Sequence, residues 1–151
     1  LNEFIISDWL ASKTDLKRQM EQVSCLGGQT QILRLLRHAI IEHNKLAIRA
    51  LLFIGDACEE SPDQLYNLAG QCGLLKLPIF IFQEGSNRKA SDSFRTLASL
   101  SGGVYTTFDA SSASTLASLL GALSRYVVGG KKALEMSAQS GDKIFLEQLK
   151  N

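Results

Sequence analysis

The chain has 151 residues, of which 45% are apolar and 21% charged, the balance of one folded domain with a sizeable core rather than a disordered tail. Sixteen Lys and Arg against fifteen Asp and Glu leave a net charge of +1, which excludes a general electrostatic grip on nucleic acid or an anionic membrane. Three cysteines, Cys25, Cys58 and Cys72, make no disulfide framework and no C-x-x-C zinc or redox motif, so they read as reduced thiols of a cytoplasmic protein. Residue 1 is Leu rather than Met and reads as the start of a fragment or a processed product. No signal-peptide pattern follows it, and the longest apolar run, Ala50 to Ile54, is far too short to cross a bilayer.

Taken in order, residues 14–23 have apolar positions 16, 20 and 23 on one helical face, with Thr14 as the cap. Residues 29–44 predict a stronger helix, its stripe made of Ile32, Leu35, Leu36, Ala39 and Ile40. The run Ile48–Ile54 is short, branched and aromatic, the profile of a buried parallel strand. Ser61-Pro62 then starts a helix that runs to about Gln71 and stops at Gly73. A second strand is predicted over 77–82, a loop over 83–87, a helix over 90–100 and a break at Gly102-Gly103. The third strand is Val104–Phe108, followed by a helix over 113–128 that Gly129-Gly130 ends. Weaker helical periodicity over 131–139 and 143–150 reads as a C-terminal extension, dividing the chain into an α/β domain at 1–128 and a helical segment at 129–151.

Strand–helix alternation at this spacing predicts an α/β fold, a three-layer α/β/α sandwich around a mostly parallel, Rossmann-like sheet. Such sheets bind ligands outside the carboxyl ends of their strands, which aligns Asp56, Gln83-Glu84 and Asp109 along one rim. Two loops stand out there. Gly27-Gly28-Gln29-Thr30 opens the long second helix, offering free N–H groups and a hydroxyl in the first turn. Ile54-Gly55-Asp56 ends a strand on a carboxylate that caps no helix.

Together these loops, with Pro78-Ile-Phe-Ile-Phe82 and Gly102-Gly-Val-Tyr105, resemble the von Willebrand factor type A domain family. The likeness extends from about Cys25 to Val128 and is to the stand-alone bacterial intracellular members. It implies a metal-ion-dependent adhesion site holding Mg²⁺ or Mn²⁺, with a protein partner's carboxylate completing the coordination, and no catalysis. By the same resemblance Thr30 and Asp56 are metal ligands, and Gly28, Gln29, Glu59 and Glu84 ring the partner-binding rim. The family's first-strand Asp-x-Ser-x-Ser motif does not occur here. Two explanations stand side by side. Leu1–Ser12 is the end of a later strand region with the first strand upstream, or Asp8 and Ser12 form a degenerate first loop.

Other residues have competing readings. Glu59 and Glu60 hold a partner's cation, repel it, or form a solvated acidic loop. They would raise rather than lower the thiol pKa of Cys58, which speaks against a reactive cysteine. Trp9 is a core plug or an interface anchor, and His43 suits the negative end of the second helix. The rival functions are a Rossmann-like nucleotide-binding or hydrolytic enzyme using Asp56 and Asp109, and a metal-free scaffold of the same family. Against the enzyme, no Gly-x-Gly-x-x-Gly follows a strand and no Gly-x-Ser-x-Gly elbow is present.

Overall fold

The computed structural model describes residues 4–23, 28–109 and 111–149. Three strands, β1 (Leu51–Gly55), β2 (Ile79–Glu84) and β3 (Tyr105–Phe108), form one parallel sheet in the order β1-β2-β3. Leu51 pairs with Ile79 at one end of the first ladder and Gly55 with Gln83 at the other; the second runs from Ile81–Tyr105 to Glu84–Phe108. Parallel neighbours need a crossover, and helices α3 (Pro62–Leu74) and α4 (Arg88–Ser101) supply one each.

β2 is the central strand, and its alternating side chains divide the core. Ile79 and Ile81 pack with Leu36 and Ala39 of α2 (Ile32–Leu46), Leu65 and Ala69 of α3, and Phe94 and Leu97 of α4. Phe80 and Phe82 point the other way, to Leu119 and Ala122 of α5 (Ala113–Ser137) and Phe145 of α6 (Ser140–Gln148). The fold is mixed α/β, with helices against both faces of the small sheet.

Several boundaries differ from those the sequence predicts, each for a local reason. The first helix, α1 (Lys13–Glu21), is capped by Ser12 and not Thr14: the Ser12 hydroxyl accepts the Asp15 N–H at 3.1 Å. α2 begins at Ile32, so Thr30 lies just outside the helix and not in its first turn. α2 ends on a left-handed Ala47, and the Nδ1–H of His43 donates to the Ile48 carbonyl at 2.8 Å. Residues 47–50 join no strand ladder, and β1 starts at Leu51 instead of Ile48. β1 is also an edge strand, half-buried rather than buried, with Ile54 42% exposed. Gln83 and Glu84, predicted in a loop, are the last residues of β2. The predicted break at Gly129-Gly130 is present, with Gly130 non-helical (φ 65°, ψ −161°) and a second helical stretch running on to Ser137; beyond the break Leu134, Phe145 and Leu149 enter the second core.

Gly102 and Gly103 have separate reasons to be glycine. Gly102 is the left-handed cap of α4 at φ 76°, and at Gly103 a Cβ would collide with the backbone of Ile79.

Candidate functional site

In a strand–helix repeat the helix runs back along the strands, so the start of α2 lies at the carboxyl end of β1. Four N–H groups at a helix start lack partners within the helix. α2 has no acidic residue in its first turn, and its capping residue Gln31 makes no side-chain cap bond. The acceptor comes from the loop after β1. Glu60 receives the Ile32 N–H at 2.5 Å on one carboxylate oxygen and the Leu33 N–H at 3.1 Å on the other. A carboxylate there also opposes the positive end of the helix dipole.

Its neighbour Glu59 reaches the residue just before the helix. One Glu59 oxygen accepts both the Thr30 hydroxyl at 2.6 Å and the Thr30 N–H at 3.1 Å. These two bonds hold the Glu59 carboxyl below the ordinary carboxylate range. Two consecutive acids thus tie the loop after β1 to the entry of α2, and neither is simply solvated. The sequence offers little clue to this tie, because Thr30 stands one residue ahead of the capping position, which Gln31 holds without a side-chain cap bond.

The remaining predicted site residues are distributed around this tie. Asp56 is exposed one residue beyond β1, on the loop that carries Glu59, with no hydrogen bond or ion pair among the described residues. Glu84 is exposed at the end of β2, and Gly28 and Gln29 are exposed ahead of Thr30. Gly27 and Cys25 lie outside the described residues. Asp109 follows β3 and turns its carboxylate to the Ser111 N–H at 2.9 Å, a bond that lowers its pKa and builds the turn into α5.

Asp8 and Ser12 are not brought to Thr30. Ser12 is spent on the start of α1, and Asp8 lines a groove of about 730 Å³ with Trp9, Leu35, His38 and Glu42. His38 lies eight residues beyond Thr30, so the groove follows the flank of α2 and not its start. Trp9 is 65% exposed, which removes the core-plug reading.

Gln83 is a residue that sequence reasoning passed over as loop. It is fully buried; its carbonyl oxygen accepts the Tyr105 hydroxyl at 2.8 Å and the Ser91 hydroxyl at 2.9 Å. Its amide donates to the Asn87 carbonyl at 3.0 Å. This network pins the rim turn between β2 and α4. The available signal was a polar residue closing a buried apolar run.

Cys58 and Cys72 are buried, and burial foremost pushes both thiols up, which makes them poor nucleophiles.

The rim's oxygen donors, the Thr30 hydroxyl and the carboxylates of Glu59 and Asp56, are of the hard kind that Mg²⁺ accepts. Only Thr30 and Glu59 touch, and among the described residues no three His, Cys, Asp or Glu converge on one point. The donors do not form an all-protein cage.

No protein-family model, curated protein or solved structure matches the chain. No helix among the described residues is long and apolar enough to cross a membrane.

Proposed function

We propose that the chain is a non-enzymatic protein-interaction domain of the von Willebrand factor type A kind, a three-layer α/β/α sandwich acting in the cytoplasm. The observation that supports this reading best is the joining of Thr30 to the loop after β1 through Glu59, at the carboxyl rim of the sheet. Thr30 and Asp56 would hold Mg²⁺ or Mn²⁺, which supplies a positive charge for a partner's carboxylate. By the same resemblance Gly28, Gln29, Glu59 and Glu84 would form the partner-binding rim. The near-neutral chain charge suits a protein partner and not nucleic acid. Free, buried thiols at Cys58 and Cys72 suit a reducing compartment.

A second reading, a metal-free scaffold of the same family, is favoured by one fact: the Thr30 hydroxyl and N–H are already satisfied by Glu59. Calorimetric and thermal-shift titration of the full chain with Mg²⁺, Mn²⁺, ATP and NAD separates the two. The metal-dependent reading expects a response to the two metals that Thr30→Val and Asp56→Asn each remove. A response to nucleotide alone would favour the enzyme, and silence to every probe the scaffold.

A further inference from the structure

We infer that the outer edge of β1 is a self-docking surface, on which a second copy of this chain pairs its own β1 antiparallel, Leu52 of each copy facing Ile54 of the other. The two edges of the sheet are unlike. The β3 edge is closed at Tyr105 by the Gln148 side chain, whereas among the described residues no strand or side chain bonds the outer edge of β1. Alternation decides which backbone groups stay free there. Leu51 donates to the Pro78 carbonyl at 3.0 Å, so Leu51, Phe53 and Gly55 face β2, and Leu52 and Ile54 turn their N–H and C=O groups outward. The usual blocks on an open edge are missing: residues 50–55 hold no charge and no proline, and the register from Leu51 to Gly55 has no bulge. Leu51 and Phe53 lean on the first core and Leu52 on the second, all only half-buried, and Ile54 is 42% exposed. An added strand would therefore extend both cores.

Charge selects the occupant and its direction. Arg49 is exposed just before β1 and Asp56 just after it, and neither has a hydrogen bond or ion pair among the described residues. A strand that begins beside a cation and ends beside an anion matches itself when reversed. Antiparallel pairing sets Arg49 of each copy at the end where the other carries Asp56, and parallel pairing sets like against like. With the two-fold axis through Phe53, Leu52 and Ile54 exchange both backbone bonds across an isologous interface. A strand pairing this short falls at the small end of specific interfaces, so the dimer is reversible and forms at micromolar and higher concentration.

The test is sedimentation equilibrium of the full chain over a dilution series in chelator, with amide exchange measured at both ends of the series. The average mass is expected to rise with concentration toward that of two chains. The Leu52 and Ile54 amides should slow as it does, with Phe53, already bonded to β2, unchanged. Ile54→Lys and Ile54→Pro, which place a charge and remove the outward donor, should stay monomeric while keeping a cooperative melt. Arg49→Glu should weaken association by about 2–10-fold, an exposed charge pair counted at both ends, and adding Asp56→Arg should restore it. The inference is overturned if the chain is monomeric throughout, or if both Ile54 variants still dimerise. It is overturned too if dimers form while the Leu52 and Ile54 amides exchange freely, because another face such as the Trp9 groove then joins the copies. Full protection of those amides in the monomer would mean that the chain covers its own edge. A double charge reversal as weak as Arg49→Glu would exclude the antiparallel pairing.

Discussion

Gln148 closes the outer edge of the sheet at Tyr105. Its amide donates to the Tyr105 carbonyl at 2.7 Å and accepts the Tyr105 N–H at 2.9 Å, taking the place of a neighbouring strand. An open strand edge is a template for pairing with another chain, and one side chain from α6 blocks it here. Gln148→Ala should therefore lower stability by about 1–3 kcal/mol in urea titration, for two lost bonds with partners left unpaired. Exchange of the Tyr105 amide should accelerate more than that of Ile81, whose N–H stays bonded to Val104 inside the sheet.

Glu60 acts as a cap contributed from 28 residues away. Glu60→Ala should cost about 0.5–2 kcal/mol, the usual range for a lost helix cap. The loss should be seen at the Ile32 and Leu33 amides, with the second half of α2 unaffected. Equal exchange rates in variant and wild type would show that another group caps the helix.

The buried carboxylate of Asp142 joins the two C-terminal helices. One of its oxygens takes the Arg125 Nε–H at 2.9 Å, with Nη2 of Arg125 at 2.8 Å, and the other takes the Gln139 N–H at 2.9 Å. Burial alone would raise its pKa, but the Arg125 and Gln139 hydrogen bonds outweigh that and lower it. A folded pKa below the unfolded one means that the unfolded chain takes up the proton first. The contribution is whole above the unfolded value of about 3.9 and is lost as pH falls through the lower folded value. Acid titration of stability should show this loss, and Asp142→Asn should flatten it. Glu59 and Asp109 shift in the same direction at exposed positions, where solvent screens their effect. At neutral pH Asp142→Asn should cost about 3 kcal/mol, the low end for a broken buried pair, since Arg125 keeps some solvent contact.

Two glycines should respond oppositely to alanine. Gly103→Ala forces a Cβ into the backbone of Ile79 and should lower stability by about 1–3 kcal/mol or more. Gly70 lies inside α3 with open space for 4 Å around the point a Cβ would occupy, so Gly70→Ala should raise stability by about 0.5–1 kcal/mol. Melting temperatures of the two variants measure both effects.

Phe145 stacks on Phe80 at 5.2 Å between ring centroids, and both are fully buried. Phe145→Ala should cost about 3–5 kcal/mol, as a large aromatic lost from a core does. A near-neutral result in chemical denaturation would mean that α6 folds apart from the sheet.

Where local chemistry decides, the sequence was legible. Pro62 starts α3 after Ser61, the stripe Ile32, Leu36 and Ala39 is the buried face of α2, and Gly102 ends α4. The apolar run around Phe80 marked the central strand. The errors came where a side-chain hydrogen bond decides, local at Ser12 and His43 and distant at Gln83. Thr14 and Ser12 are both good caps, and the Ser12–Asp15 bond chose between them. β1 lost its first residues to the bond from His43 to Ile48. Gln83 looked like loop because its partners, Ser91 and Tyr105, are eight and 22 residues away.

The same division holds for the candidate site. Period and punctuation along the chain determined that strands and helices alternate, and predict from that an alignment of Asp56, Gln83-Glu84 and Asp109 along one rim. They could not determine what each acid does. Asp56, Glu59, Glu60 and Asp109 carry the same chemical group, yet one is exposed, one holds Thr30, one caps α2 and one builds a turn. A carboxylate's role follows from the donors that come within about 3 Å of it. Only the tertiary placement of the start of α2 beside the loop after β1 brings those donors in for Glu59 and Glu60.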